Sequence, residues 1–266
     1  MTNNNHFLED AAMSVTPRTV IVTGGTAGIG RAISEELIGR GYAVLATGRN
    51  EDQGLDLARR HRGRFQFVSV DHGHPEAAQH VVEAYGQLDP SKFGALAGLV
   101  NNVGKRHNEA IGEHDPARLT ETFEINVNSA ILMTQQVVPL LKESGGGSIV
   151  SISSRLAVAG MKGVSGYAAS KGAINSFSIA AAIELAPLNI RVNVVAPGMT
   201  KTPLIHAWLA EQPDPVIAEK DQADRVPMGR LCSEIDVAKA VAFLISDDSP
   251  YITGIVLPVD GGYTAA

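Results

Sequence analysis

Tyr167 and Lys171 stand four residues apart in Tyr167-Ala168-Ala169-Ser170-Lys171, thirteen residues beyond Ser154 of the pair Ser153-Ser154. If a helix opens near Tyr167, the phenol and the ammonium share one face of it. A tyrosine at its ordinary pKa of about 10 is a poor acid or base near neutrality, but a neighbouring cation favours the phenolate and draws it toward the working range. Ser154, delivered by the end of a preceding strand, could hydrogen-bond an oxygen that is being reduced or oxidised. The same residues also describe a buried tyrosine beside a lysine whose stem snorkels to solvent. The rest of the chain decides between the two.

The elements that must position these groups follow from hydrophobic patterning. Thr19-Val20-Ile21-Val22-Thr23 is a short β-branched run, as expected of a strand buried on both faces of a parallel sheet. Gly24, Thr26, Gly28, Ile29 and Gly30 follow at once. The glycines permit a tight turn, and a helix opening near Ile29 would aim free N–H groups and its positive end at a diphosphate. The spacing is G-x-x-x-G-x-G, not the G-x-G-x-x-G of the commonest dinucleotide fingerprint. Further strands are expected at 42–47, 65–70, 95–100, 147–152, 191–196 and 255–259, and helices at 31–40, from 75, and at 116–141, 167–185 and 233–246. This alternation, unbroken by a linker, gives an α/β class, one doubly wound Rossmann-like domain over 17–266 with helices on both faces of a mostly parallel seven-stranded sheet. From 199 to 230 periodicity fades amid Pro203, Pro213, Pro215 and Pro227, the profile of a substrate lid.

Taken with Asn101-Asn102-Val103-Gly104 and Pro197-Gly198-Met199-Thr200, the glycine turn and the Ser-Tyr-Lys set resemble the short-chain dehydrogenase/reductase family from roughly Arg18 to Tyr263. The glycine spacing is that family's own variant; Val103 departs from its usual alanine. The resemblance implies hydride transfer between a nicotinamide and a carbonyl or secondary-alcohol carbon. It implies that Tyr167 carries the proton, Lys171 lowers its pKa and holds the nicotinamide ribose, and Ser154 stabilises the substrate oxygen. Asn126, in Phe123-Glu124-Ile125-Asn126-Val127, would order a water in the proton relay. Along the cofactor it places Asn102 and Gly104, then Pro197, Gly198, Thr200 and Thr202 near the nicotinamide, where either threonine could instead just shape its loop. Asp71, with His72, would lie at the adenine, though Asp71 also suits the cap of the helix from Pro75.

Cofactor choice turns on the end of the second strand. NAD users commonly place a carboxylate there for the ribose hydroxyls, whereas a 2′-phosphate wants a cation. Here Gly48 stands where the family's NAD users carry the acid, and Arg49 follows. NADP(H) is therefore expected, with NAD(H) as the alternative, since Glu51 and Asp52 lie close by and Ala27 replaces a second basic residue. Lys105-Arg106-His107 and Arg155 put cations near the expected mouth. They describe either a solvated loop or a clamp, centred on Lys105 and Arg155, for a carboxylate or phosphate on an anionic substrate.

Composition narrows the class further. A chain of 266 residues with 44% hydrophobic content can bury a large core, and its formal net charge of -6 argues against a nucleic-acid partner. Cys232 is the only cysteine, so no intrachain disulfide forms, no metal framework is indicated, and a reducing cytoplasm fits. The chain carries no run of about twenty apolar residues and no cationic start followed by an apolar stretch, so neither membrane nor export is expected. Residues 1–16 read as a disordered tail, with Met13 an alternative start. The apolar circumference of 167–185 suits packing on the sheet and on a second subunit, and the family resemblance implies a homotetramer or homodimer. Two rivals stay open. Epimerase or dehydratase chemistry would want a larger C-terminal region, and a cofactor-sensing regulator without turnover would not need both Tyr167 and Lys171.

Overall fold

In the computed structural model, Thr19–Val22 forms β1, and alternate side chains enter opposite cores: Val20 and Val22 on one face of the sheet, Ile21 on the other. The structure describes residues 16–266; the rest of the N-terminal tail and the alternative start at Met13 lie outside them. β1 is followed by α1 (Gly28–Gly39), β2 (Ala43–Gly48), α2 (Glu51–Arg60), β3 (Phe65–Ser69), α3 (Ala77–Gly86) and β4 (Leu96–Asn101). The second half runs through α4 (Pro116–Phe123), a π-turn (Glu124–Asn128), α5 (Ser129–Glu143), β5 (Gly147–Ile152), α6 (Ser165–Leu185) and β6 (Ile190–Pro197). It ends with α7 (Pro203–Ala210), α8 (Pro215–Ala223), α9 (Glu234–Ile245) and β7 (Val256–Val259).

The strands pair in parallel in the order β3-β2-β1-β4-β5-β6-β7, a seven-stranded doubly wound sheet. Ile33 and Leu37 of α1, Leu57 of α2 and Val237 and Val241 of α9 fill one face. Val81 of α3, Met133 and Val137 of α5 and Ala182 and Leu185 of α6 fill the other. Strands buried on both faces explain why their sequences read as continuous apolar runs. The winding reverses between β1 and β4, so a crevice opens at the carboxyl ends of these strands. All four motifs emerge at that edge: the glycine turn after β1, Asn102 to Gly104 after β4, Ser153-Ser154 after β5 and Gly198 after β6.

Three expectations need correction. The helix expected over 116–141 is interrupted by the π-turn, which has Asn126 at its centre; such turns concentrate at functional sites because they re-aim one side chain inside an otherwise regular helix. Asp71 caps nothing: α3 starts at Ala77 behind Glu76, and the Asp71 carboxylate accepts from Gly73 N at 3.0 Å in a local turn. The segment 199–230 is not irregular throughout but carries α7 and α8, each begun by a proline and capped by Thr202 and Asp214 respectively.

Candidate active site

The glycine turn is shaped by contact. Gly24 has φ +63°, and a Cβ on Gly30 would lie 2.1 Å from Gly24 O and 2.5 Å from Asn102 Nδ2. Only glycine fits there. Asn102 holds the turn by donating Nδ2 to Thr23 O (2.9 Å) and Gly24 O (3.2 Å), so β4's exit fixes β1's. Ala27, the residue before α1, offers no side-chain cap, which leaves the first N–H groups of a twelve-residue helix to a ligand. This bare helix end beside a cradle too tight for any Cβ suits a dinucleotide diphosphate.

Farther along the edge, Arg49 is exposed and lines a cleft of about 600 Å³ with Asp71 and His74. A Cβ at Gly48 would stand 2.6 Å from Thr26 Oγ1, so an acid at that position would displace the hydroxyl. His72 is 5% exposed, its Nε2 2.8 Å from Thr47 Oγ1, and Thr47 Oγ1 in turn accepts from Gly24 N at 3.2 Å. Burial pushes His72 down to about 4 against the nearby Asp71 charge, so the ring is neutral in its hydrogen bond with Thr47. Its side chain braces the glycine turn from within. Thr200 donates to Gly198 O at 3.1 Å and Thr202 accepts from Ile205 N at 3.4 Å, so in this structure both hydroxyls shape the loop after β6.

The candidate reacting groups lie where β5 ends. Ser153 Oγ donates to Lys171 O at 3.1 Å, tying the strand exit to α6. Ser154 is nearly buried and its Oγ accepts from Leu156 N at 3.1 Å. α6 opens at Ser165, two residues ahead of Tyr167, so phenol and amine do share a helix face. Lys171 Nζ donates to Ile152 O at 2.8 Å and lies 5.9 Å from the Tyr167 ring centroid. Burial lowers Lys171 to about 8. Burial also raises the Tyr167 phenol above its ordinary value, opposed first by the neighbouring Ser154 hydroxyl and then by the Arg106 charge.

Asn126 is buried and fully engaged as a donor. Nδ2 donates to Lys105 O and Ser170 Oγ, both at 2.9 Å, while Oδ1 accepts from Lys105 N at 2.6 Å. It pins the loop after β4 to α6. A Cβ at Gly104 would come 3.2 Å from Lys171 Nζ, so this loop runs directly over the amine.

The cationic triplet separates on inspection. Lys105 Nζ pairs with Glu121 Oε1, and His107 Nε2 meets Glu121 Oε2 at 3.0 Å; the two together hold the Glu121 carboxyl below its usual range. Lys105 is therefore already matched, which removes it from the substrate clamp. Arg106 is exposed and bonds only to Asn108 Oδ1, at 2.8 Å. Sequence reasoning missed a further network: His114 Nε2 lies 2.9 Å from Ser165 Oγ and its Nδ1 3.3 Å from Glu109 Oε2, while Glu109 N donates to Gly163 O at 2.8 Å. These contacts fasten the same loop to the start of α6. Nothing in the spacing of Glu109, His114 and Ser165 signals that meeting.

Similarity to characterised proteins agrees with this geometry. Residues 24–264 match the family model described as enoyl-(acyl carrier protein) reductase. A 3alpha-hydroxysteroid dehydrogenase from Mediterraneibacter gnavus is 33% identical over 252 residues, covering 94% of this chain and 98% of the relative. A cyclopentanol dehydrogenase from Comamonas testosteroni is 34% identical over 257 residues, covering 94% and 98%. The structure of ElxO with NADP bound matches with a TM-score of 0.85 at 26% identity, covering 95% of this chain and 100% of the other. With four motifs gathered at one sheet edge, these likenesses settle the class: the chain belongs to the short-chain dehydrogenase/reductase family. It is an NAD(P)-dependent oxidoreductase acting on alcohol and carbonyl groups of small molecules.

Proposed function

We propose that the chain is an NADP(H)-preferring carbonyl reductase and alcohol dehydrogenase in which Tyr167 is the proton carrier. The observation that carries this reading is the placing of the Tyr167 phenol beside the Ser154 hydroxyl, with the buried Lys171 amine one helical turn on. When bound, the dinucleotide supplies a hydride to the carbonyl carbon or accepts one from the carbinol carbon. In reduction Tyr167 gives its phenolic proton to the carbonyl oxygen, which Ser154 orients by hydrogen bonding. The raised phenol pKa keeps that proton in place until it is needed. Lys171 has one N–H on Ile152 O and two left to hold ribose hydroxyls. Asn126 positions the loop over Lys171 and keeps one Oδ1 lone pair for a relay water.

Preference for the 2′-phosphate is supported by Arg49 in the cleft shared with Asp71 and by the crowding at Gly48 that disfavours an acid. The segment 199–230 is read as a substrate lid, since α7 and α8 follow the β6 exit at the mouth. Ile179 and Ile183, 43% and 76% exposed on α6, support a homodimer or homotetramer built on that helix. A cytoplasmic location is part of this reading; no helix among the described residues is long and apolar enough to cross a membrane.

The test is a panel of ketones, aldehydes and secondary alcohols assayed with NADPH and NADH, with Tyr167→Phe as the control. Turnover in the wild type that vanishes in the variant supports the reading. Tight dinucleotide binding with no turnover on any member would overturn it in favour of a sensor.

A further inference from the structure

Arg155 follows Ser154 directly, and its surroundings are unusual for a buried cation. The residue is 8% exposed, and among the described residues it has neither a carboxylate within ion-pair distance nor a hydrogen bond to its guanidinium. The guanidinium carbon lies over the Tyr263 ring, 3.7 Å from its centroid. This contact is made by the ring face of Tyr263 and is not one of the hydrogen bonds that the five N–H donors can make. The carboxylate whose charge it feels, Asp260, is committed elsewhere: Oδ1 accepts from Gly262 N at 3.0 Å, and Oδ2 from Thr264 N at 3.0 Å and Thr264 Oγ1 at 2.7 Å. A second arginine, exposed Arg225 beyond α8, bears on it with like charge. None of its nitrogens is among the fully buried, unpartnered polar atoms of the described residues, so the donors keep access to an incoming ligand, while a largely buried cation without a counter-ion is costly and favours an anionic one.

We propose that the Arg155 fork is the recognition site for an oxyanion on the substrate, a carboxylate or a phosphate, held while the carbonyl lies against Ser154 and Tyr167. This rests on the reading of Ser154 and Tyr167 as the reaction centre. A guanidinium held against the Tyr263 ring keeps a fork of N–H groups whose geometry matches a planar carboxylate or two phosphate oxygens. Arg225, on the segment read as a lid, supplies the second positive charge as that segment comes down. Of the two cations named for such a clamp from sequence, the structure keeps Arg155 and assigns Lys105 to Glu121.

The experiment compares matched probes with NADPH in wild type and Arg155→Gln. One arm sets 2-, 3-, 4- and 5-oxo carboxylates against their methyl esters, and a second sets dihydroxyacetone phosphate against dihydroxyacetone. The expected result is a wild-type preference of about a hundredfold in kcat/KM for the anion in one arm, falling to within about threefold of unity in the variant. The arm that shows the preference tells carboxylate from phosphate. A residue that merely anchors Tyr263 would lower both members of a pair together and leave the ratio unchanged. A wild-type ratio near one in both arms, with neutral ketones turned over, sinks the anion site while sparing the reductase, whether or not the variant folds. NADPH binding with no carbonyl reduced in any arm removes the reductase reading and this proposal with it.

Discussion

On the proposed reading, the cofactor half of the molecule grips with backbone, and the substrate half acts through side chains. From β1 to β3 the decisive features are a turn too tight for a Cβ and a helix end with nothing capping it. The neighbouring helix α9 shows the opposite treatment: Ser233 and Asp236 form a reciprocal capping box, with Arg230 on the Asp236 carboxylate at 2.6 Å. Two helix ends in one core are thus finished differently: α9's by its own side chains, α1's by none. Across the sheet edge the substrate half depends on long-range side-chain contacts: Asn126 on Lys105 and Ser170, His114 on Ser165, Arg155 on Tyr263. A backbone site tolerates few residues but needs few partners. A side-chain site can be retuned one contact at a time.

Lys171 belongs to both halves, and the sharpest test of the division is to remove it beside Tyr167. Tyr167→Phe should lower kcat by about a thousandfold while leaving the NADPH dissociation constant within a few-fold, because only the proton is lost. Lys171→Ala should lower turnover by a similar factor and weaken NADPH as well, since the ammonium is read as a ribose ligand. Equilibrium fluorescence titration alongside steady-state rates separates the two. Equal affinity in both variants would show that the amine serves the chemistry alone.

The cofactor half should also be the acid-sensitive one. His72 has its pKa lowered from 6.5 to about 4 by burial, so between those values the unfolded chain binds a proton that the folded chain refuses. Its contribution is whole above pH 6.5 and is lost as pH falls toward 4, a loss of about 3 kcal/mol from this group. Urea unfolding at pH 7 and pH 4.5 should show a shallower loss in His72→Gln, which keeps an acceptor for Thr47. An unchanged pH dependence would place the acid-labile group elsewhere.

Gly30→Ala tests the claim that the turn is a backbone site. The added Cβ meets Gly24 O at 2.1 Å, a rigid neighbour, and overpacking of this kind costs about 1–3 kcal/mol, or roughly 10- to 100-fold in NADPH affinity. Isothermal titration reads it directly. Wild-type affinity in this variant would mean the turn yields easily and its glycines serve something other than close approach.

The same contrast explains what could be read from the chain unaided. Gly24, Gly28 and Gly30 announce a turn because a backbone requirement is written in the residues that meet it, and the β-branched runs announce buried strands for the same reason. Tyr167 and Lys171 are legible because four residues make one helical turn. The π-turn at Asn126 is not, because it costs no change in helical composition. Lys105 looked available because its partner Glu121 sits a loop away, on α4. The contact of the His72 ring with Thr47 is not legible either, because His72 lies in the turn after β3 and Thr47 on β2. Spacing within an element is local information; pairing between elements is set only by packing.

The smallest expected effect tests the one place where the cofactor half is read as relying on a side chain. Arg49 is exposed at the end of the cleft that also holds Asp71, so its attraction for a 2′-phosphate is screened and should be modest. Arg49→Ala should weaken NADPH about tenfold while leaving NADH within twofold, and the difference should shrink as salt is raised from 50 to about 500 mM. A parallel loss for both dinucleotides would mean that Arg49 steadies the loop after β2 and that discrimination lies elsewhere in the cleft. Loss confined to NADPH at low salt would make cofactor choice the adjustable part of an otherwise backbone-built site, alterable at a single exposed residue without disturbing the turn that holds the diphosphate.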